Sequence, residues 1–426
     1  MLPEKYKEYS RISKNFLSLV LLQGTNFVIP ILIIPYLIKT LGVDKYGIVA
    51  LAQTTMLYFF IIVDYGFSLS AVKEISLNKN NIDKLSRIFS EVLITKLVLA
   101  ILAFCILVVC IQLHPKFREN WVLFLLSYLM VIGQIAMPTW FFQGMDTMKY
   151  TTYTNLIAKV LFTGLIFFSI KKVDDAQWVN PLLGLGNIIA GIISTLFLIR
   201  RFGIYFITKG LWKSVQYQLK SGFYYFISNF SVSIYVNSNI VILGLFANDH
   251  VLGLYSIAEK IAMLTRQLLV VFSQAVYTHI CVIVTEAKER MHAFLKKIFL
   301  PFFILVTLGC GILFIFAQLI PQYFGLNSID STSLVTLIRL ISFIPAIVCL
   351  NIPFYQVLLI HDNAKRGSKI LVIGAVICIL SNFILTPYLS SIGTGISMII
   401  TELFITASVI LLVEKSTDLA IIRYEK

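Results

Sequence analysis

Long apolar stretches alternate with short polar connections along the whole chain. We place twelve such stretches at about residues 15–38, 48–69, 88–112, 121–143, 151–170, 181–199, 223–246, 254–280, 298–320, 334–360, 368–386 and 392–414. A helix that crosses a bilayer needs about 20 mostly apolar residues, and these stretches approach or exceed that length. The pattern therefore predicts an all-α polytopic membrane protein with twelve transmembrane helices.

The Lys and Arg residues outside these stretches alternate between rich and poor connections. Of the 35 Lys and Arg residues, 24 lie in the two tails and every second connection, and 6 lie in the remaining connections. Loops that stay in the cytoplasm carry an excess of Lys and Arg. We therefore predict that both termini are cytoplasmic. The net charge of +14 then reflects topology, whereas a nucleic-acid partner, which is not expected, would require cations gathered on one face.

Composition and motifs exclude several classes of function. The chain has 58% hydrophobic and 13% charged residues, which leaves too few polar residues to cover the surface of a soluble globular protein of this size. Its longest connection between apolar stretches is also too short to form a soluble domain. It contains no Walker A sequence for ATP hydrolysis and no His or Cys spacing typical of a metal site. We therefore expect neither an enzyme nor a bound cofactor.

Two weak internal sequence similarities indicate that the chain consists of two duplicated halves. The second and eighth stretches begin with similar residues, Gly47–Gln53 and Gly253–Glu259, and a second similarity lies near the ends of the fourth and tenth stretches. We predict two six-helix halves, residues 1–200 and 223–426, that are related by pseudo-symmetry around a central cavity. Residues 201–222 would form a cytoplasmic amphipathic linker between them.

Proline residues interrupt two of the apolar stretches. Pro30 and Pro35 lie in the first stretch, and Pro345 and Pro353 lie in the tenth. Proline removes a backbone hydrogen bond and kinks a helix. These residues are therefore candidate gating hinges, and plain packing kinks are an equal alternative.

Charged residues inside the apolar stretches are the candidate functional groups, because each costs about 2.5–3.5 kcal/mol at the middle of a bilayer. The cations are Lys96, Lys159, Lys260, Arg266 and Arg339, and the acids are Asp64, Glu259 and Glu402. The excess of cations predicts a cavity that binds a phosphate-bearing or acidic substrate.

The acids are candidates for coupling transport to an ion. Alternatives stay open at two places. Lys96 and Arg339 could reach an interface, and Glu259 could pair locally with Lys260 or Arg266.

Three segments carry a family resemblance. Leu21–Gln53, Val63–Gly66 and Trp140–Tyr150 resemble bacterial polysaccharide transporters. The likeness is to O-antigen flippases of the Wzx type, within the superfamily that also holds MATE drug exporters and MurJ-like lipid II flippases. It covers essentially the whole chain, although the second half is more generic.

This resemblance implies a carrier in the bacterial inner membrane. It would move undecaprenyl-diphosphate-linked oligosaccharide from the cytoplasmic to the periplasmic leaflet by alternating access. The resemblance implies that Lys159, Arg266 and Lys260 line the cationic cavity of the family. It also implies that the partners are O-antigen assembly proteins such as a polymerase and a chain-length regulator. The main alternative is a cation-coupled multidrug exporter of the MATE type, which would favour an acidic cavity. A membrane glycosyltransferase would need long periplasmic loops that the chain lacks.

Overall fold

The chain folds as a helical membrane protein. The structure, a computed structural model, describes residues 4–207, 211–286, 288–360 and 364–416, and these ranges contain helices and turns but no β-strand. Within them, eight helical stretches are long and apolar enough to cross a bilayer. The predicted all-α, multi-span membrane fold is confirmed. The count of twelve spans in two matched halves stays a prediction.

The chain divides into two compact units, Met1–Phe230 and Ser231–Lys426. The first unit includes the predicted linker, residues 201–222, and the beginning of the helix that follows it. Its helices are α1 (Glu4–Asp64), α2 (Phe67–Leu77), α3 (Ile82–Leu113), α4 (Pro115–Glu119), α5 (Trp121–Ser127), α6 (Leu129–Ala136), α7 (Thr139–Gly144), α8 (Met148–Ser169), a 3₁₀ turn at Val173–Trp178, α9 (Val179–Phe202) and the start of α10 (Leu211–Phe246).

The second unit holds the rest of α10 and the helices after it. These are α11 (Asp249–Glu286), α12 (Lys288–Phe294), a π-helical turn at Leu295–Phe299, α13 (Leu300–Ile315), a 3₁₀ turn at Phe316–Leu319, α14 (Ile320–Phe324), α15 (Ser328–Ile341), α16 (Ile344–Ile360) and α17 (Ala364–Ser416).

Two very long helices each contain a break where the chain can reverse. The apolar stretch Ile31–Leu77 has 47 residues, which would extend about 70 Å as one helix, more than twice a bilayer core of about 30 Å. Helical geometry is lost at Gly42, where φ is +80°, a conformation that glycine adopts without strain. In α17 the break falls at Ser390, where φ is +51°.

Close contact between α6 and α9 organises the first unit. A Cβ atom on Gly133 of α6 would lie 2.7 Å from the carbonyl oxygen of Gly184 on α9, and one on Gly184 would overlap the backbone of Leu129. Small residues at such crossings let membrane helices approach closely. Glycine is therefore required at both positions.

Large apolar side chains cover much of the outer surface. Exposed fractions reach 67% for Ile101, 82% for Phe168 and 86% for Tyr388. A water-soluble monomer rarely exposes so much contiguous apolar surface. This surface suits contact with lipid.

The structure departs from the sequence prediction in the fourth stretch and shows the backbone of part of the linker. The fourth stretch is divided into α5, α6 and α7, with Pro138 at the second interruption. Residues 203–207 of the linker are not helical. Their backbone N–H groups at Tyr205 and Ile207 donate instead to the hydroxyls of Ser86 and Ser90, at 3.2 and 2.9 Å.

The prolines do not all interrupt helices. Pro35 lies within α1, which departs from helical geometry at Gly42 instead, and the side chain of Pro30 lies outside the part of the chain that the structure describes. Pro345 is the second residue of α16, where a missing N–H is harmless. Pro353 lies inside the same helix without ending it. Their role as hinges stays a prediction.

Candidate functional site

Lys96 and Asp64 form a buried ion pair in the first unit. Nζ of Lys96 on α3 donates to Oδ1 of Asp64, at the end of α1, at 2.8 Å, and the side chains are 3% and 15% exposed. Lys96 also lies 5.9 Å from the ring centroid of Phe67. The side chain therefore does not extend to an interface, which was one alternative. Its charge is balanced inside the unit.

Arg266 and Glu402 form a second buried pair, in the second unit. Nη2 of Arg266 on α11 donates to Oε1 of Glu402 on α17 at 2.6 Å, with side chains 13% and 3% exposed. The local pairing of Arg266 with Glu259, which the sequence left open, stays a prediction. The carboxylate that Arg266 contacts belongs to Glu402, which lies 136 residues away along the chain. The cause is the packing of α11 against α17.

Glu259 lies on the same helix as Arg266, two turns earlier. It is 5% exposed, and the charges of Lys260 and Arg266 act on it. Within the described part of the chain, Oε1 of Glu259 and the hydroxyl of the fully buried Tyr255 have no hydrogen-bond partner. A buried carboxylate oxygen without such a partner is costly. It is therefore a candidate for binding a proton or a cation.

A chain of uncharged polar groups crosses the second unit near these acids. Asn382 Nδ2 on α17 donates to Asn239 Oδ1 on α10 at 3.0 Å, and Thr386 Oγ1 donates to Asn382 Oδ1 at 3.3 Å. The hydroxyls of Thr386 and Thr394 lie 3.0 Å apart. Because the break of α17 lies between these two threonines, their hydrogen bond ties its two arms together.

The other predicted cations lie in different surroundings. Arg339 on α15 donates from Nε to the Phe314 carbonyl oxygen at 3.2 Å and lies over the Phe314 ring at 5.4 Å. That carbonyl belongs to the last turn of α13, so Arg339 caps a helix end. Lys159 on α8 and Lys260 on α11 are both half-buried.

Sequence reasoning found the charged residues but missed their partners and the polar chain. The pairings depend on contacts between residues far apart in sequence. Asn239, Asn382 and Thr386 carry a usable sequence signal, since each is a polar residue within an apolar stretch. Within the described ranges, no three His, Cys, Asp or Glu side chains gather to hold a metal ion.

Comparison with known proteins assigns the chain to a family. A model of the family described as "Polysaccharide biosynthesis protein" matches residues 12–278. The chain belongs to this family. The match covers the first unit from residue 12 onward and continues through most of α11, so it includes Asp64, Lys96, Glu259 and Arg266.

Two named relatives resemble the chain over nearly its full length. A protein of Escherichia coli (strain K12) named "Putative O-antigen transporter" is 28% identical over 413 residues, which is 95% of this chain and 97% of the relative. A protein of Shigella dysenteriae with the same name is 28% identical over 402 residues, 92% of this chain and 98% of the relative.

Solved structures share the fold at low sequence identity. The lipid II flippase MurJ in an inward closed conformation matches with a TM-score of 0.72 and 16% identity, over 95% of this chain and 87% of that one. An inward-facing MATE family multidrug transporter of the MOP superfamily matches with a TM-score of 0.70 and 12% identity, over 95% and 99%. The fold of this family member is therefore that of MATE and MurJ proteins.

Proposed function

We propose that this chain is a flippase that moves undecaprenyl-diphosphate-linked oligosaccharide, a repeat unit of O-antigen or another surface polysaccharide, from the cytoplasmic to the periplasmic leaflet of the bacterial inner membrane. The observation that carries the proposal is the likeness to two proteins named as O-antigen transporters across 95% and 92% of the chain. The likeness to the solved structure of MurJ, which is named a lipid II flippase, supports it.

The transport cycle is alternating access by two six-helix halves, with both termini in the cytoplasm. Lys159, Lys260 and Arg266 provide positive charge for the diphosphate. Arg266 is shared with Glu402, so the diphosphate competes with this carboxylate for the guanidinium group. Such competition would make substrate binding loosen the contact between α11 and α17.

Glu259 is the coupling residue in this proposal. Of the three candidate acids, Asp64 and Glu402 are each held in a buried ion pair. Glu259 instead has a buried oxygen without a hydrogen-bond partner among the described residues. A proton or a small cation bound at Glu259 would satisfy that oxygen in the conformation described, and its release would accompany the change of state.

A multidrug exporter of the MATE type is the alternative, since its fold is shared. A direct transport assay separates the two. The full-length protein is reconstituted into vesicles with fluorescent undecaprenyl-diphosphate oligosaccharide, and an impermeant quencher reports how much of the lipid has changed leaflet. We expect faster movement than in protein-free vesicles. Efflux of a cationic dye with no movement of the lipid-linked sugar would overturn the proposal.

A further inference from the structure

A second candidate site lies on the outside of the first unit, where α9 ends. A cavity of about 510 Å³ opens there, and its described lining consists of Ile193, Leu196, Phe197, Arg200 and Arg201. The three apolar side chains are 47%, 52% and 37% exposed. The cavity therefore combines an apolar wall that is open to lipid with two guanidinium groups at the end of a membrane helix.

A third cation and an aromatic cluster lie beside this cavity. The ring of Phe197 is 4.7 Å from that of Tyr150 at the start of α8, and Lys149 Nζ lies 4.9 Å from the Tyr150 ring centroid. Aromatic and basic side chains together are typical of the level at which lipid head groups lie. Lys149, Arg200 and Arg201 all belong to connections predicted to be cytoplasmic, so the cavity would face that leaflet.

The backbone fixes the two arginines in place. Both belong to the last turn of α9, which ends where Gly203 adopts φ +67° and donates its N–H to the Ile199 carbonyl oxygen at 3.0 Å. A helix C-terminus carries about half a negative charge, which would repel an anion. Three full positive charges outweigh it.

We propose that this cavity binds one anionic phospholipid, with its phosphate between Arg200 and Arg201 and the first part of its acyl chains along Ile193, Leu196 and Phe197. The planar fork of arginine suits phosphate oxygens, and basic pockets at the cytoplasmic ends of membrane helices bind anionic lipid head groups. The site does not depend on what the protein transports.

The lining favours a phospholipid over the lipid-linked sugar. A head group of several sugars has many hydroxyls that need hydrogen-bond partners. The described lining provides guanidinium donors and apolar carbon, and no carboxylate, amide or hydroxyl among its five residues. A glycerophosphate head group needs few partners beyond the two arginines.

The test is lipid retention by the full-length protein. The protein is placed in vesicles of phosphatidylcholine with equal mole fractions of phosphatidylglycerol and undecaprenyl diphosphate, and native mass spectrometry counts the lipids that stay bound. We expect one retained phosphatidylglycerol. Its affinity should fall roughly 30-fold in the R200Q/R201Q variant. It should stay unchanged in K79Q/K84Q, which removes two exposed cations of the same unit that are not among the described lining residues of the cavity.

A variant with both arginines in place covers the case in which R200Q/R201Q fails to fold. L196W fills the apolar wall at a side chain that is 52% exposed, and it should also expel the lipid. Equal retention by R200Q/R201Q and K79Q/K84Q would overturn the proposal, because the attraction would then be diffuse. Preferential retention of undecaprenyl diphosphate would also overturn it and would make the cavity part of the substrate's route.

Discussion

Arg266 and Glu402 are joined by a hydrogen-bonded ion pair of 2.6 Å between Nη2 and Oε1. The pair links α11 to the second arm of α17 inside the second unit. Both groups are nearly removed from solvent, with side chains 13% and 3% exposed. The pair therefore has a structural role as well as the transport role proposed for Arg266.

The first prediction separates these two roles. Arg266→Ala leaves the Glu402 carboxylate buried without its guanidinium partner, so the free energy of unfolding should fall by about 3–5 kcal/mol. The double change Arg266→Met and Glu402→Leu should recover most of this stability without recovering transport. Thermal unfolding in detergent and the vesicle assay measure the two effects. Full transport by the stable double variant would remove Arg266 from the substrate site.

The second prediction concerns Lys96 and Asp64. Lys96→Met should destabilise the first unit by a similar amount, because it strands a carboxylate that is 15% exposed. Adding Asp64→Asn should reverse the effect, since no charge is then left unbalanced. Lys84→Gln, at an exposed cation near the start of the same helix, serves as the control. If Lys96→Met alone unfolds at the wild-type temperature, the pair contributes no net stability.

The third prediction tests coupling through Glu259. Glu259→Gln keeps the shape of the side chain but removes its ability to ionise. Transport driven by an imposed proton or sodium gradient should lose its dependence on that gradient, while the amount of folded protein stays the same. Glu119→Gln, at an exposed acid of the first unit, should leave the gradient dependence intact. An undiminished response in Glu259→Gln would assign coupling to another residue.

The fourth prediction concerns the linker. Ser86→Ala together with Ser90→Ala removes the acceptors for two part-buried backbone N–H groups of residues 203–207, at a cost of about 0.5–1.5 kcal/mol for each hydrogen bond lost. Limited proteolysis should then cut the linker faster. Ser76→Ala, at an exposed hydroxyl that donates to the Lys73 carbonyl oxygen, is the control. Unchanged cleavage would show that these hydroxyls do not hold the linker.

The same linker should respond to alkaline pH. Tyr205 donates its hydroxyl proton to Asp83 at 2.6 Å, and this hydrogen bond to a carboxylate raises the pKa of Tyr205. A raised pKa means that the contact is intact at neutral pH and is lost only as the pH rises through the pKa of Tyr205. Proteolysis of the linker should therefore accelerate at strongly alkaline pH in the wild type. Tyr205→Phe should abolish that pH dependence, and a wild-type linker with no alkaline response would contradict the assignment.

The fifth prediction compares two glycines. Gly184→Val places side-chain atoms against the Leu129 backbone and should prevent α6 and α9 from packing. Gly164→Ala on α8 adds a Cβ with nothing within 4 Å, and it should be neutral or stabilise the helix by up to about 1 kcal/mol. The yield of monodisperse protein after detergent extraction distinguishes them. Equal yields would show that the crossing can widen without penalty.

Apolar length and charge pattern predicted the fold class well, because a bilayer imposes both on the sequence. The predicted stretches 151–170 and 181–199 correspond to the single helices α8 and α9, although α8 ends at Ser169. Interruptions inside a stretch were harder to place. Gly42 and Ser390 break α1 and α17 within the predicted connections 39–47 and 387–391, whereas Pro35 was predicted to interrupt a helix that continues past it. A local sequence pattern does not show where neighbouring helices can replace the backbone hydrogen bonds that a proline removes.

The charged candidates were found from sequence because insertion into lipid is costly for each of them. Their pairing was not found, since Lys96 meets a carboxylate 32 residues away and Arg266 one 136 residues away. A local sequence pattern does not reveal contacts between residues so far apart along the chain. Each of these two cations is paired with a carboxylate, and their role in a positive lumen stays a prediction.

The placement of the two ion pairs bears on how the protein is made. Each pair closes within a single unit, so neither unit has to wait for the other to neutralise that buried charge. A ribosome-bound chain could release its first half into the bilayer with Lys96 already matched, before the segment carrying Glu402 has been synthesised. Biogenesis in two successive stages would then need no chaperone to shield these charges in between.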